Sequence, residues 1–227
     1  NTSPGPYLRF KMSSTEAQAI LDAFYKPEFI LMRERFYGKD YMSPGGEAAG
    51  KELLLRLSLR PGEKVLDIGC GTGGPATFMA RHYGAQVHGL ELSDNMIQLG
   101  QQRLNASEET LVKQRVKLEA ADATTVQLEK AAYDVIYSRD TVCHIKDKKK
   151  LFENCMPALR SGGRVFISDF CRGDKEPPQE FTEYWKEKGF NISTFDEYAL
   201  PLKAIGLKNI VKTDITNEIV NNNAIYI

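Results

Sequence analysis

A chain of 227 residues is long enough to bury one sizeable core and short for two independent ones. Thirty lysines and arginines cancel thirty aspartates and glutamates, which excludes a global field drawing the molecule to nucleic acid or to an anionic membrane surface and leaves a small-molecule partner as the expectation. Four cysteines, Cys70, Cys143, Cys155 and Cys171, are scattered without CxxC spacing, so a reduced, cytoplasmic protein is expected and a disulfide-stapled one is not.

In chain order, the opening NTSPGPYLRFKMSS lacks the apolar core of a signal peptide, and residues 1–13 are expected to form a disordered arm or an added remnant. No apolar run approaches the ~20 residues of a membrane span. Helical spacing marks TEAQAILDAFY and PEFILMRERFYG, so residues 14–46 read as N-terminal helices closing on an SPGG turn. EAAGKELLLRLSL continues in helical period until Arg60-Pro61-Gly62 stops it. Alternation then begins. Strands are expected at 64–69, 86–92, 116–122, 133–138 and 164–170, with helices at 75–84, 94–104, roughly 106–113 and 147–159 between them. That rhythm predicts a doubly wound, mostly parallel α/β sheet over residues 47–227. Beyond it, PPQEFTEYWKEKGF and TFDEYALPLKAIGL read as helices, KNIVKTDIT as a strand and NAIYI as a last edge strand.

The stretch VLDIGCGTGG puts glycines where a strand turns into a helix, so that a ligand meets bare backbone at a helix N-terminus. Read as GxGxxG over Gly69, Gly71 and Gly74, it is a dinucleotide fingerprint with Glu91 on a ribose. Read as DxGxGxG over Asp67, Gly69, Gly71 and Gly73, it resembles the class I methyltransferases, Rossmann-like enzymes that use S-adenosylmethionine. Asp67 lies on the strand itself, where a pyrophosphate would be repelled and a methionine ammonium welcomed. Asp122, at the end of the third strand, then suits the adenine amino group. Three acids at three successive strand ends favour the cationic cofactor.

The fourth strand runs into YSRDTVCHI. In isolation, Asp140 reads as an N-cap of a short helix and His144 as an ordinary core or surface histidine. Their place beyond the carboxyl edge of the sheet, where open α/β folds bind ligands, favours chemistry, and a helical DTVCH would set both on one face. Asp140 is then expected to cap the turn and face the ligand at once.

Over about residues 25–212 the chain resembles the phosphoethanolamine N-methyltransferases, on YGKDYMSPGG, VLDIGCGTGG, HGLELSDNM, YSRDTVCHI and ISDFC. The resemblance implies an N-terminal helical lid on the methyltransferase sheet, with His144 as catalytic base, Tyr25 as its phenolic partner and Asp140 on the substrate amine. It places Met42 and Ser43 against the cofactor, whose site also takes in Leu92, Ala123 and Arg139. Where the family uses tyrosines and an arginine for the substrate phosphate, this chain has Phe170, Lys188 and Phe190. The phenylalanines suit a cage for a methylated amine.

The implied reaction is S-adenosylmethionine-dependent N-methylation of phosphoethanolamine or its mono- or dimethylated forms, on the route to phosphocholine, by a monomer. The alternatives are a non-phosphorylated amine, imidazole or amino acid acceptor, and a catalytically silent cofactor-binding domain. KDKKK is expected to be a solvated helix start. His82 and His88 have no companion ligands, so no metal is expected. Cys70 is expected to fill space. Tyr184 and Trp185 read as either core or pocket lid.

Overall fold

Short apolar runs buried on both faces require a parallel sheet covered by helices, and the computed structural model, which describes residues 25–218, contains one. Strands β1 (Lys64–Ile68), β2 (Gln86–Glu91), β3 (Val116–Ala120), β4 (Tyr133–Arg139) and β5 (Leu159–Ser168) lie in the order β3-β2-β1-β4-β5, each neighbouring pair parallel. The chain winds outward from β1 to β3 and then returns to place β4 on the other side of β1. A crevice therefore opens at the carboxyl ends of β1 and β4, the position where doubly wound sheets take ligands.

Helices α1 (Pro27–Tyr37) and α2 (Gly46–Leu57) precede the sheet. They are followed by α3 (Gly74–Tyr83), α4 (Asp94–Ala106), α5 (Thr110–Arg115), α6 (Lys148–Cys155), α7 (Gln179–Glu187) and α8 (Phe195–Ala204). Successive side chains of a strand point to opposite faces, and the two cores follow that alternation. Val65, Val87, Val135 and Tyr137 pack with Leu54, Met79, Ile97 and Val112 of α2 to α5. Leu66, Leu90 and Ile136 pack with Leu151 and Phe152 of α6 and Tyr198 and Leu202 of α8. Burying a side chain such as Leu54 or Phe152 contributes about 1.5–3 kcal/mol.

Several expectations need correction. Residues 208–216 form no strand, because no ladder partner stands beside them among the described residues and Val211, which would be half of the apolar alternation, is 81% exposed. β5 starts earlier than expected: Tyr133 pairs with Leu159 and Val135 with Arg164, so residues 160–163 bulge out, with Gly162 at φ +75°. The helix expected near 106–113 is displaced to α5, since α4 runs on to Ala106 and the Ser107 hydroxyl then accepts from the Glu109 N–H. Residues 171–172 and 193–194 add a small parallel pair, β6 (Cys171–Arg172) and β7 (Ser193–Thr194). Helix α7 buries none of its residues, so Tyr184 and Trp185 are not core. The expected arm, most of the helix at 15–25 and the strand at 223–227 lie outside the described residues. Among the described residues no helix is long and apolar enough to cross a membrane.

The turn after β1 is where backbone freedom is indispensable. Gly69 has φ +77°, and a Cβ there would stand 2.0 Å from the Thr141 hydroxyl oxygen. Gly62, at φ +82°, has open space around it. Gly69→Ala should therefore lower stability by more than about 2 kcal/mol, and Gly62→Ala by only about 1 kcal/mol of backbone strain. Urea titrations of the two variants check this; equal losses would mean that the Gly69–Thr141 packing is not tight.

Candidate active site

Each of the five strands delivers an acid at or near its carboxyl end: Asp67 on β1, Glu91 ending β2, Asp122 after β3, Asp140 after β4 and Asp169 after β5. Asp67 is 1% exposed. Its register neighbours are Gly89, which has no side chain, and Tyr137, so nothing at strand level neutralises it. The Oδ2 atom is buried without a hydrogen-bond partner, as is the Tyr137 hydroxyl. Burial, with help from the Glu91 carboxylate, pushes the Asp67 carboxyl up to about 8.

Glu91 is better provided for. Its two oxygens accept the backbone N–H groups of Gly71 at 3.1 Å and Ser93 at 3.0 Å, which ties the end of β2 to the glycine turn. Burial raises its pKa and these bonds oppose the shift. Gly69, Gly71 and Gly73 all have positive φ, and the turn closes through Gly69 and Cys70 N–H groups donating to the Leu90 carbonyl. Cys70 is buried, and a Cβ on Gly89 would meet its sulfur at 2.7 Å, so the thiol fills the space over that glycine. Leu92 is partly exposed beside Glu91. Asp122 accepts the Thr124 N–H and is exposed, while the Ala123 carbonyl is taken by Asn154.

Asp140 does not cap a helix. The turn at Val142–His144 is 3₁₀, Thr141 holds the cap position and no side chain caps it. The cause is the left-handed backbone of Asp140, φ +51°, which ends β4 while its N–H still donates to the Ser168 carbonyl at 2.8 Å. That conformation costs a non-glycine residue about 1–2 kcal/mol, and such strain gathers at functional positions. The Asp140 carboxyl lies 3.5 Å from the Arg139 Nε, and the nearby Ser43 hydroxyl favours its charged form. Burial raises it to about 6, with Arg139 opposing the rise. Arg139 spends its other donors on the Gly46 and Pro44 carbonyls at 2.9 and 2.7 Å. Ser43 is thereby brought to Asp140, with half-buried Met42 adjoining.

His144 is exposed at its turn, and the walls around it still desolvate the ring and hold its pKa below the ordinary 6.5. Phe190 lies against it, ring centroids 4.8 Å apart, and Phe170 continues the row at 6.2 Å from Phe190. Backbone bonds fix this contact. The Asn191 N–H donates to the Cys143 carbonyl, and the buried Lys148 ammonium bridges the Ile145 and Asn191 carbonyls at 3.0 and 2.6 Å. Lys148 is thus a correction to the solvated KDKKK, whose Asp147 does cap α6. Lys188 stays apart from the row, pairing with Glu187 at 2.8 Å beneath the Tyr184 ring. Tyr25 precedes α1. Its phenol pKa is raised by burial and by the Glu91 charge, and Cys143 also acts on it. Both ring nitrogens of His88 are occupied, by Tyr133 and Glu119, and His82 packs on Phe78.

Asp169 escaped the sequence reading. Its carboxylate accepts from the Tyr198 hydroxyl at 2.5 Å and from the Phe170 N–H, and its charge acts on Asp140, Cys143 and His144. The signal was present in ISDF, an acid directly past a strand as in YSRD.

A methyltransferase-domain family model matches residues 66–167. The chain is 40% identical over 212 residues to phosphoethanolamine N-methyltransferase 1 of Zea mays, covering 92% of this chain and 41% of that protein. It is 34% identical to the phosphoethanolamine N-methyltransferase of Plasmodium falciparum, covering 85% of this chain and 71% of that one. The fold superposes, with TM-score 0.85 and 30% identity, on Haemonchus contortus phosphoethanolamine N-methyltransferase 2 in complex with phosphomonomethylethanolamine and S-adenosylhomocysteine, covering 92% of this chain and 48% of that one. The chain spans about two fifths of the length of the plant relatives it matches.

Asp67 sets a pH dependence. Its folded pKa of about 8 stands above the ordinary 3.8. Its contribution to stability is therefore complete below the unfolded value and is lost as pH rises toward about 8, at up to about 1.4 kcal/mol per pH unit. Asp67→Asn has no proton to lose and should flatten the fall of Tm between about pH 5 and about pH 8. An unaltered slope in thermal melts would mean that the carboxyl is ionised throughout.

Proposed function

The chain belongs to the phosphoethanolamine N-methyltransferase family, and from that premise we propose that it transfers a methyl group from S-adenosylmethionine to a small amine, phosphoethanolamine or its mono- or dimethylated forms, as a cytoplasmic monomer on the route to phosphocholine. The observation that carries this reading is the unpaired, buried Asp67 oxygen behind a glycine turn. A buried carboxylate without a partner is costly and calls for a cation, which the ammonium of S-adenosylmethionine provides and a pyrophosphate does not. The donor set therefore fits. Asp67 would hold the ammonium, Glu91 the ribose hydroxyls and Asp122 the adenine amino group, with Gly69, Gly71, Gly73, Leu92, Ala123, Arg139, Met42 and Ser43 lining the site.

When bound, S-adenosylmethionine supplies an electrophilic methyl group on a sulfonium. The protein's own work is alignment and proton handling. Asp140 holds the substrate amine by a charge-assisted bond and favours the cation that develops on nitrogen. An ammonium has no lone pair, so a base must take its proton first. His144, kept neutral by desolvation, accepts it at an imidazole nitrogen. Tyr25, whose raised pKa keeps the phenol protonated, would donate to the ring and orient it in the closed site. Residues 14–46 act as the lid that excludes water over a methyltransferase domain comprising 47–227.

The row His144, Phe190 and Phe170 favours one refinement: aromatic faces attract methylated ammonium groups. An acceptor already carrying methyl groups, with or without a phosphate, fits that row better than a primary amine does. Lys188, exposed and paired with Glu187 outside that row, is the proposed substrate-side cation.

His144→Ala should lower kcat on a primary or secondary amine by about 100-fold or more and leave S-adenosylhomocysteine affinity within about twofold. Radiolabelled methyl transfer and calorimetry together measure this. Wild-type turnover in the variant would return His144 to a structural role, and a wild-type protein that binds S-adenosylhomocysteine but methylates no amine would mark a silent domain.

A further inference from the structure

Two arginines hold the stretch between α1 and α2 from different sides. Arg139, at the end of β4, takes the Pro44 and Gly46 carbonyls. Arg103, on α4, takes the other end. Its Nη2 donates to the Glu34 carboxylate at 2.8 Å, and its Nη1 donates to the carboxylates of both Glu34 and Asp40. The Asp40 N–H completes the ring by donating to Glu34 at 2.9 Å. Glu34 is only 8% exposed, so this is a partly desolvated network and not a solvated surface pair.

Its consequence reaches the glycine turn. Asp40 has φ +68°, and a Cβ on Gly74 would stand 2.3 Å from the Asp40 carbonyl oxygen, so the loop rests directly on the first turn of α3. Tyr41 follows, buried against Gly50, and then Met42 and Ser43, with the Ser43 hydroxyl near Asp140. Released from Arg103, Glu34 and Asp40 would face each other as like charges with the cation between them gone.

We infer that Arg103 is a positioning residue of the cofactor site: by clamping Glu34 and Asp40 to α4 it presses residues 38–45 onto the glycine turn and sets how long the cofactor is retained. This rests on the reading of the site as one for S-adenosylmethionine. Arg103 touches no reacting atom, so its removal acts on retention and not on chemistry. A lysine in its place supplies one point charge and loses the fork.

The test is stopped-flow dissociation of S-adenosylhomocysteine from wild type, Arg103→Met, Arg103→Lys and Asp40→Asn, with melting curves to establish folding. Arg103→Met is expected to speed dissociation at least about fivefold and to raise the cofactor KM in step, with kcat within about twofold, and Arg103→Lys to recover part of the loss. Asp40→Asn, a milder change that keeps the Arg103–Glu34 fork, should move in the same direction and stands in if Arg103→Met does not fold. Dissociation at the wild-type rate in the folded variants overturns the inference, as does a lowered active fraction with unchanged rate. If wild type itself fails to bind S-adenosylhomocysteine, the cofactor reading falls first and the inference with it.

Discussion

Asp67 is a carboxylate in the wrong place for stability. It sits on the central strand of a parallel sheet, flanked by a glycine and by a tyrosine whose own hydroxyl is unpaired, and it is almost wholly buried. Replacing it with an apolar residue would strengthen the core. The rest of the crevice is arranged around that group. Cys70 fills the gap over Gly89, the glycine turn wraps the end of β1, and the Glu91 carboxylate is immobilised by two backbone N–H groups at the mouth. The arrangement becomes favourable only with a positive ligand.

The same logic extends along the sheet edge. Asp140 and Asp169 directly follow adjacent strands, close enough for the Asp169 charge to raise the affinity of Asp140 for a proton. Against these acids the described residues set a few fixed cations. Arg139 and Lys148 are largely engaged with backbone carbonyls, and each of the two fastens a loop. Arg139 secures the loop bearing Ser43, and Lys148 secures the segment that lays Phe190 against His144. The site thus keeps a negative floor for an amine beside an aromatic wall, with its basic residues used as fasteners.

The central strands were legible because both faces of β1 and β4 are buried, which writes near-continuous apolar runs into the sequence. The acids at the ends of β1, β2, β3 and β4 were legible for the same reason: once a strand is located, its carboxyl end is too. Asp169 obeys the same rule, one residue past the apolar run of β5 in ISDF. What local sequence could not reveal was conformation set from afar. Asp140 looks like a cap, but pairing with Ser168 takes its backbone into the left-handed region. Arg103 lies in the helix expected at 94–104, and its partners lie 69 and 63 positions earlier in the chain. The KNIVKTDIT alternation is a fair strand pattern that lacks a ladder partner among the described residues.

On this reading of the site, the buried Asp67 carboxyl, protonated in the free protein below about pH 8, ionises when a cationic cofactor arrives. Calorimetry of S-adenosylhomocysteine binding in buffers of different ionisation enthalpy measures that proton directly. Proton release near neutral pH is expected, fading above about pH 9 and absent in Asp67→Asn. Binding with no proton released by wild type at neutral pH would contradict it.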